Sequence, residues 1–547
     1  MKIALAQINF TIADFDGNSS KIIARIEKAR DEGADLIVFS ELSVTGYYPH
    51  DLLERKEFIE NAEETVRKIA ARCTGIAAIV GSPRINLNDK GKKLYNSAFF
   101  LCEGRIESIH DKTLLPTYDV FDEYRHFEPN RKFSIVEYKG MKIAVTICED
   151  LWDELPTENE FGKDRLYQLS PMEELSVFSP DFLVNISASP FSYNQENWRK
   201  DVLVKKAIKY RLPIVYVNQV GAHAELIFDG GSVVIGRNGE IVKELNYFEE
   251  DFLVFDLNCP GEIVLQEPRA EIRKIHDALV LGISDYFSKL GFRRATLGLS
   301  GGIDSAVTLV LAVEALGSSN VRVLLMPSAF SSDHSIADAK VLAERLDVRY
   351  DILPIQPVVD LADNALAPLF GTLPHDITEE NIQARIRGIY LMALCNKFGY
   401  ILLNTSNKSE AAVGYGTLYG DMNGGISVLG DIYKTHVYKL AAYMNRDNEL
   451  IPASTILKPP SAELRPGQKD TDSLPEYDIL DQILFSYIEL NLPPDEIINK
   501  GFDGETVRKV IRLVNLNEYK RFQAPPILRV TTKAFGFGRK MPLVARY

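Results

Sequence analysis

Short apolar runs flanked by turn residues recur through the first half of the chain: KIALAQINF, ADLIVFSE, GIAAIVGSPRI, YNSAFFLCEGRI, KIAVTICED, DFLVNISAS, PIVYVNQVG, GSVVIGRNGEI and DFLVFDL. Their length and their β-branched and aromatic content predict strands. Apolar positions spaced near 3.6 over residues 21–32 and 51–72 predict helices between some of them. That mixture predicts an α/β domain with large sheets covered by helices. The strand rhythm stops near Asn258-Cys259-Pro260-Gly261, and Gln266-Glu267-Pro268-Arg269 is polar and broken by proline. A boundary near residue 265 follows, giving domains of 1–265 and 266–547. The second begins with a helix, a strand over 295–299, a glycine turn, a helix over 306–316, a strand over 321–326, a helix over 335–346 and a strand near 348–352. This alternation predicts a parallel, doubly wound sheet. Residues 458–475 hold four prolines and many charges and predict a long loop or lid.

Composition narrows the class. The chain has 547 residues, of which 46% are hydrophobic and 25% charged, enough to bury sizeable cores. Its 62 basic and 76 acidic residues leave a net charge of −14, so neither nucleic acid nor an anionic membrane surface is an expected partner. The longest apolar run, within 306–316, is interrupted by Thr308 and Glu314 and falls short of the ~18 residues of a membrane-spanning helix. Met1-Lys2 leads straight into a strand-like alternation without an apolar leader, and a cytoplasmic location is expected. The five cysteines (Cys73, Cys102, Cys148, Cys259, Cys395) are scattered, odd in number and never spaced Cys-x-x-Cys, which argues against both a disulfide framework and a zinc site.

Behind Gly298 and Leu299, the segment Ser300-Gly301-Gly302-Ile303-Asp304-Ser305 follows a predicted strand and opens a predicted helix. Backbone N–H groups and the helix dipole converge there, a geometry that binds phosphate. The lysine of a Walker loop is missing, and a tight β-α turn that needs glycine is the plainer alternative. The segment resembles the pyrophosphatase loop of ATP-dependent synthetases that adenylate a carbonyl oxygen. Asn-Ile-Gln-Ala-Arg-Ile-Arg at 381–387, Thr-Ser-Asn-Lys-Ser-Glu at 405–410, Gly-Tyr-Gly-Thr-Leu-Tyr-Gly-Asp at 414–421 and Tyr519-Lys520-Arg521 resemble the NAD synthetases among them. The resemblance implies that the 298–305 stretch, Thr405, Lys434 and the lid hydroxyl of Ser461 bind ATP. It implies that Asp304 and Glu410 bind Mg2+, and that Asn381, Arg385, Arg387, Glu410, Tyr415, Thr417 and Lys520 line a deamido-NAD pocket. Leu418 stands where short ammonia-dependent members tend to carry lysine, so no contact is carried over there.

In the first half, Glu41, Lys112 and Cys148 each end or closely follow an apolar strand. A cysteine thiolate attacks an amide carbonyl when a base takes its proton and a cation stabilises the oxyanion. Taken singly, each residue has a bland alternative: a small buried cysteine, a strand-end carboxylate, a surface amine. FSELSVTGY, KTLLPTYDVFDE and ICEDLW resemble, in order, the Glu-Lys-Cys motifs of the nitrilase (carbon–nitrogen hydrolase) superfamily. The resemblance implies Glu41 as base, Lys112 as oxyanion partner and Cys148 as nucleophile. It also implies glutamine contacts at Tyr118, Ser189, Gln195 and Glu225, although Asn194-Gln195 and Gly221-Ala-His-Ala-Glu225 depart from the usual pattern.

Together the two resemblances imply a nitrilase-like α-β-β-α sandwich followed by a Rossmann-like sheet of the adenine nucleotide alpha hydrolase type. The implied activity is glutamine-hydrolysing NAD synthesis: amidation of deamido-NAD through an acyl-adenylate, with ATP as co-substrate, magnesium as cofactor and glutamine as nitrogen donor. A homo-oligomer is expected. Two alternatives stand beside it: the same chemistry on a different carboxylic acid, and a non-enzymatic chain whose nitrilase-like half serves as a scaffold or sensor.

Overall fold

In the strand Lys2–Gln7, alternate side chains enter different layers. Ile3 and Leu5 join one buried cluster, whereas Ala4 and Ala6 join another. The same division runs through the computed structural model, which describes residues 1–154, 166–193, 195–259 and 261–545, with the side chains of 195–197 outside that set. The chain divides into two units, Met1–Pro268 and Arg269–Tyr547.

The first unit holds two six-stranded sheets. One runs in the order Asp251–Asp256, Lys2–Gln7, Leu36–Val38, Ala77–Ile85, Leu94–Cys102 and Arg105–Asp111. The other runs Ile241–Glu244, Val233–Ile235, Ile214–Asn218, Phe182–Ser187, Met141–Ile147 and Val136–Tyr138. Ile3, Leu5, Val38, Ile79 and Phe100 of the first meet Ile143, Val145, Phe182, Val184 and Val217 of the second. Each such fully buried side chain contributes roughly 1.5–3 kcal/mol relative to exposure. The outer face of the first sheet is covered by the helices Phe15–Asp31 and Lys56–Ala70, through Ile22, Ile26, Val66 and Ile69. Leu203 and Ala207 of the helix Gln195–Tyr210 cover the second. The result is an α-β-β-α sandwich with parallel strands at its centre. The apolar periodicity over 51–72 is split in two: a 3-10 helix, His50–Glu54, ends where Arg55 turns extended, and the α-helix starts at Lys56.

In the second unit all five strands are parallel, in the order Arg349–Ile352, Val321–Leu325, Ala295–Gly298, Ile401–Asn404 and Ile426–Ser427. Chain order reverses between Ala295–Gly298 and Ile401–Asn404, the point where open α/β sheets bind ligands. The helix Ile303–Leu316 starts directly behind the first of these strands. Among the described residues no helix is long and apolar enough to cross a membrane.

Candidate active sites

In the first unit Glu41 lies just past Leu36–Val38, and Gly81 on the neighbouring strand makes room for the main chain of Glu41 and Leu42. A Cβ at Gly81 would lie 2.3 Å from the Leu42 nitrogen. Lys112 follows Arg105–Asp111, and Cys148 follows Met141–Ile147 at φ +43°, a strained left-handed conformation for a residue with a Cβ. Glu41 and Lys112 are 0% exposed and Cys148 is 5% exposed. Lys112 Nζ donates to Glu41 Oε1 at 2.7 Å and to Glu123 Oε1 at 2.8 Å. Glu41 also accepts from Asn96 Nδ2 at 2.7 Å and from the Ala188 N–H at 3.1 Å. Tyr47 donates its hydroxyl to Glu123 at 2.7 Å. Asp150 accepts from the N–H groups of Thr113 and Leu114, both at 2.9 Å, and of Ile147 at 3.0 Å. That carboxylate thereby ties the residue after Lys112 to the residue before Cys148.

Burial first, and then the Glu41 carboxylate, push the Cys148 thiol well above the ordinary thiol range against the pull of Lys112. Burial opposes the charge on Lys112, but Glu123 and Glu41 outweigh it and hold the amine above its usual range. The resting site therefore contains a thiol and a charged lysine beside the side chain of Glu41. Beside it, Glu149 accepts from the hydroxyls of Tyr118 at 2.8 Å and Tyr167 at 2.9 Å, and burial raises its pKa to about 7.

The second unit carries a cleft of about 400 Å³ at the reversal of strand order. Its floor is the 298–305 loop, and Gly301 is essential to the loop's shape: φ is +79°, and a Cβ would lie 2.2 Å from the Ser335 carbonyl oxygen. Lys434 Nζ donates to Asp304 Oδ2 at 2.5 Å and to Glu410 Oε1 at 3.1 Å. Asn407 links the same two residues, donating Nδ2 to the Asp304 carboxylate and accepting at Oδ1 from the Glu410 backbone N–H, both at 2.9 Å. Burial lifts Glu410 to about 7, with Lys434 opposing and Asp304 adding to the rise. Two carboxylates already sharing one cation, with oxygen as their only donor atom, fit a hard divalent ion. Lys408, 0% exposed, anchors this loop through Asp431 and Glu489, each at 2.9 Å.

A family model described as carbon-nitrogen hydrolase matches residues 2–261, and one described as NAD synthase matches 275–524. A glutamine-dependent NAD(+) synthetase of Synechocystis is 46% identical over 100% of this chain and 99% of its own. One from Thermotoga maritima is 40% identical over the same shares. The chain belongs to the glutamine-dependent NAD(+) synthetase family. Among solved structures, the family's Acinetobacter baumannii enzyme in complex with ADP is 40% identical, with a TM-score of 0.77 over 99% of this chain and 98% of that one. The family's Cytophaga hutchinsonii structure shares the fold, with a TM-score of 0.84 over 100% of this chain and 98% of that one, at 21% identity.

Against this family background, the residues expected to contact substrate separate by placement. Gly298, Leu299, Ser300, Gly302, Ile303, Asp304, Ser305, Thr405, Lys434 and Ser461 line the cleft, as do Asn381, Arg387, Glu410, Tyr415, Thr417 and Lys520. Thr417 donates to Asn381 Oδ1 at 2.6 Å, and Lys520 donates to the Gly414 and Gly416 carbonyls at 2.8 Å. Ser461 donates to the Gln468 carbonyl at 2.6 Å inside the 458–475 segment. Arg385 is absent from the lining; its Nε donates to the Leu418 carbonyl at 3.2 Å. Two residues apart on the helix Ile377–Phe398, Arg385 and Arg387 diverge by about 200°, so one face cannot carry both. Gly301 shapes the floor from behind without lining it. In the first unit Ser189 is buried and donates its N–H to Asn218 Oδ1 at 2.9 Å, and Glu225 lies in the turn between Val220–His223 and Leu226–Asp229. The side chain of Gln195 lies outside the described residues. Sequence reasoning missed Glu123, Asn96, Asp150 and Asn407, although Glu123 closes the motif KTLLPTYDVFDE.

Proposed function

We propose that the chain makes NAD by amidating deamido-NAD with nitrogen from glutamine, at the expense of ATP. The observation that carries the reading is the presence, in one chain, of two assembled sets of groups: buried Glu41, Lys112 and Cys148, and the 298–305 loop with Asp304, Glu410 and Lys434 above it. In the first unit, Glu41 takes the Cys148 proton as the sulfur attacks the glutamine side-chain carbonyl carbon. Lys112, kept charged by Glu123 and Glu41, faces the oxyanion. Glu41 returns the proton to the departing ammonia, then deprotonates the water that hydrolyses the γ-glutamyl thioester and regenerates the thiol. Tyr118, Ser189, Gln195 and Glu225 are proposed to hold the glutamine.

In the second unit, the nicotinate carboxylate attacks the α-phosphorus of ATP and pyrophosphate leaves. The N–H groups at the start of Ile303–Leu316 and the Lys434 ammonium face the phosphate oxygens. Asp304 and Glu410 would hold a magnesium ion, which when bound neutralises phosphate charge. Ammonia then attacks the acyl carbon, AMP departs, and the carboxamide is complete. The ADP-bound relative supports reading the cleft as an adenine-nucleotide site. Asn381, Arg387, Tyr415, Thr417 and Lys520 are proposed to hold the dinucleotide.

The helix Gln356–Phe370 buries only Val359 and leaves Leu361 and Leu369 exposed, near the exposed Leu373 and Ile377. An apolar face of that kind supports a homo-oligomer. A cytoplasmic site of action accords with the small, phosphorylated substrates. The test is NAD formation from deamido-NAD, ATP and magnesium, comparing glutamine with ammonium chloride in native protein and in Cys148→Ala. The variant should lose the glutamine-supported reaction and keep the ammonia-supported one. Native protein that makes no NAD from either nitrogen source would refute the substrate assignment.

A further inference from the structure

On the 3-10 helix His50–Glu54, Asp51 and Glu54 are three residues apart, and 3-10 geometry eclipses side chains at that spacing. Their carboxylates are largely exposed and face the imidazole of His126, which is 8% exposed and follows the turn Glu123–Arg125. His126 Nε2 has no hydrogen-bond partner. Asp51 Oδ1 stands 3.5 Å from it and Glu54 Oε1 3.7 Å. One ligand atom from each of the three residues lies within 4.8 Å of the others, the one such convergence of histidine, cysteine and carboxylate groups among the described residues.

The other ring nitrogen explains why Nε2 is left over. Tyr48 OH is 2.6 Å from His126 Nδ1 and 3.2 Å from the Asp122 carbonyl oxygen. A hydroxyl has one proton to give. Donated to the carbonyl, it leaves the tyrosine oxygen to accept from Nδ1–H, and an Nε2 lone pair then points at two carboxylates. In the other tautomer an Nε2–H would face oxygens too distant to bond. Neither satisfies the buried nitrogen, whereas a cation among the three groups satisfies all of them. A tetrahedral zinc-type ion with bonds near 2.1 Å sets its ligand atoms roughly 3.4 Å apart, close to the separations at Nε2.

We propose that Asp51, Glu54 and His126 form a binding site for a zinc-class divalent cation, with water completing the coordination. Arg125 is the resident competitor: its guanidinium lies 2.9 Å from Asp51 Oδ1 and 3.8 Å from Glu54 Oε1, and it has Asp122 at 4.0 Å as an alternative partner. A bound ion would clamp His50–Glu54 to the turn that carries Glu123, the carboxylate that accepts from Lys112 and Tyr47. The site would therefore act as a stabilising clamp on the frame of the Lys112 site, distinct from the magnesium groups of the second unit.

The test is titration of the metal-free full-length chain with cobalt(II) in excess magnesium, read by the visible d–d absorption, followed by displacement with zinc. Native protein should saturate at one equivalent. Affinity should fall by about tenfold or more in the double variant D51N/E54Q, whose changes are at exposed positions. Arg125→Gln should bind several-fold more tightly. Zinc should also raise the midpoint of unfolding of the native chain, followed by tryptophan fluorescence, and leave that of D51N/E54Q unmoved. Either a native titration without a saturable band, or a band of equal affinity in D51N/E54Q, overturns the site.

Discussion

Lys112 and Lys434 are both buried lysines held between two carboxylates, yet their surroundings differ. The side chains of Lys112, Glu41 and Glu123 are 0%, 0% and 1% exposed, so their charges have only one another and neutral donors such as Asn96 and Tyr47. Lys434 is 3% exposed, but Asp304 and Glu410 are 18% and 17% exposed and open onto the cleft. The first arrangement is paired throughout by its own buried groups, which suits the fixed oxyanion partner proposed for Lys112. The second is open to exchange, which accords with the proposal that Lys434 turns to phosphate while its carboxylates turn to a cation. Complete burial makes the first pairing part of the fold, whereas partial exposure lets the second serve as the proposed binding surface.

The strongest way to break this contrast is to remove each lysine. Lys112→Met leaves the buried Glu41 and Glu123 without their shared cation, and losing one partner of a buried pair costs about 3–5 kcal/mol of stability. Losing the oxyanion partner should lower glutamine-supported turnover by roughly 10²–10³-fold. Both tryptophans, Trp152 and Trp198, lie in the first unit with ring centroids 5.3 Å apart, so urea unfolding followed by their fluorescence reads that unit alone. Lys434→Met should abolish synthesis from either nitrogen source and, in urea unfolding followed by circular dichroism, destabilise its unit far less. Equal losses of stability in the two variants would end the distinction.

Gly301→Ala probes the open site through its backbone. The left-handed φ costs ~1–2 kcal/mol for a residue with a Cβ. The Cβ would also meet main-chain atoms of Ser335, which cannot rotate away. We expect NAD synthesis from glutamine and from ammonia to fall together by about tenfold or more, with the glutaminase rate unchanged. A variant as active as the native protein would show that the loop does not need its observed shape.

A smaller effect should appear as pH dependence of the closed site. Burial raises Glu149 to about 7, while its unfolded value is near 4.5. Between those values the unfolded chain releases this proton and the native chain keeps it. The group's contribution to stability is therefore complete below about pH 4.5, declines as pH rises to 7 and is then gone, with a slope of at most ~1.4 kcal/mol per pH unit. Asp150, raised to about 6 by burial, adds a decline over a lower window. Glu149→Gln can still accept from Tyr118 and Tyr167 and should flatten the Glu149 part of the curve. An unchanged slope in this variant would mean that the carboxyl is ionised throughout.

Legibility in the sequence follows the same division. Glu41, Lys112 and Cys148 can be read because FSELSVTGY, KTLLPTYDVFDE and ICEDLW resemble known motifs in order, with Glu41 and Cys148 also marked by the apolar strands before them, and the glycine loop because it separates a strand from a helix. Glu123 escapes such reading: it belongs to an irregular segment whose path depends on Asp150 bonding to Thr113 and Leu114, contacts between residues far apart in the chain. Asn407 escapes likewise, since its meaning lies in Asp304, 103 residues away. Alternation predicts the parallel sheet of the second unit, but not that Ile401–Asn404 pairs with Ala295–Gly298 and so creates the reversal. The periodicity over 51–72 hides the break at Arg55, because the apolar spacing continues across it.

The two arginines on Ile377–Phe398 give the finest test of what belongs to the open cleft. From sequence, Arg385 and Arg387 are equal candidates for a phosphate contact, since both carry the planar fork that suits it. In the fold, Arg387 lines the cleft and donates Nε to the Met326 carbonyl at 3.2 Å, while Arg385 supports the Leu418 carbonyl outside it. Burial lowers the pKa of Arg387, so an anionic ligand beside it would relieve a standing cost. Arg387→Gln should therefore raise the KM for the dinucleotide or ATP several-fold. Arg385→Gln, which gives up one backbone hydrogen bond worth ~0.5–1.5 kcal/mol, should change stability slightly and leave KM within about twofold. If Arg385→Gln instead raises KM as much as Arg387→Gln, the ligand reaches beyond the cleft lining, and the open site extends to the Leu418 turn.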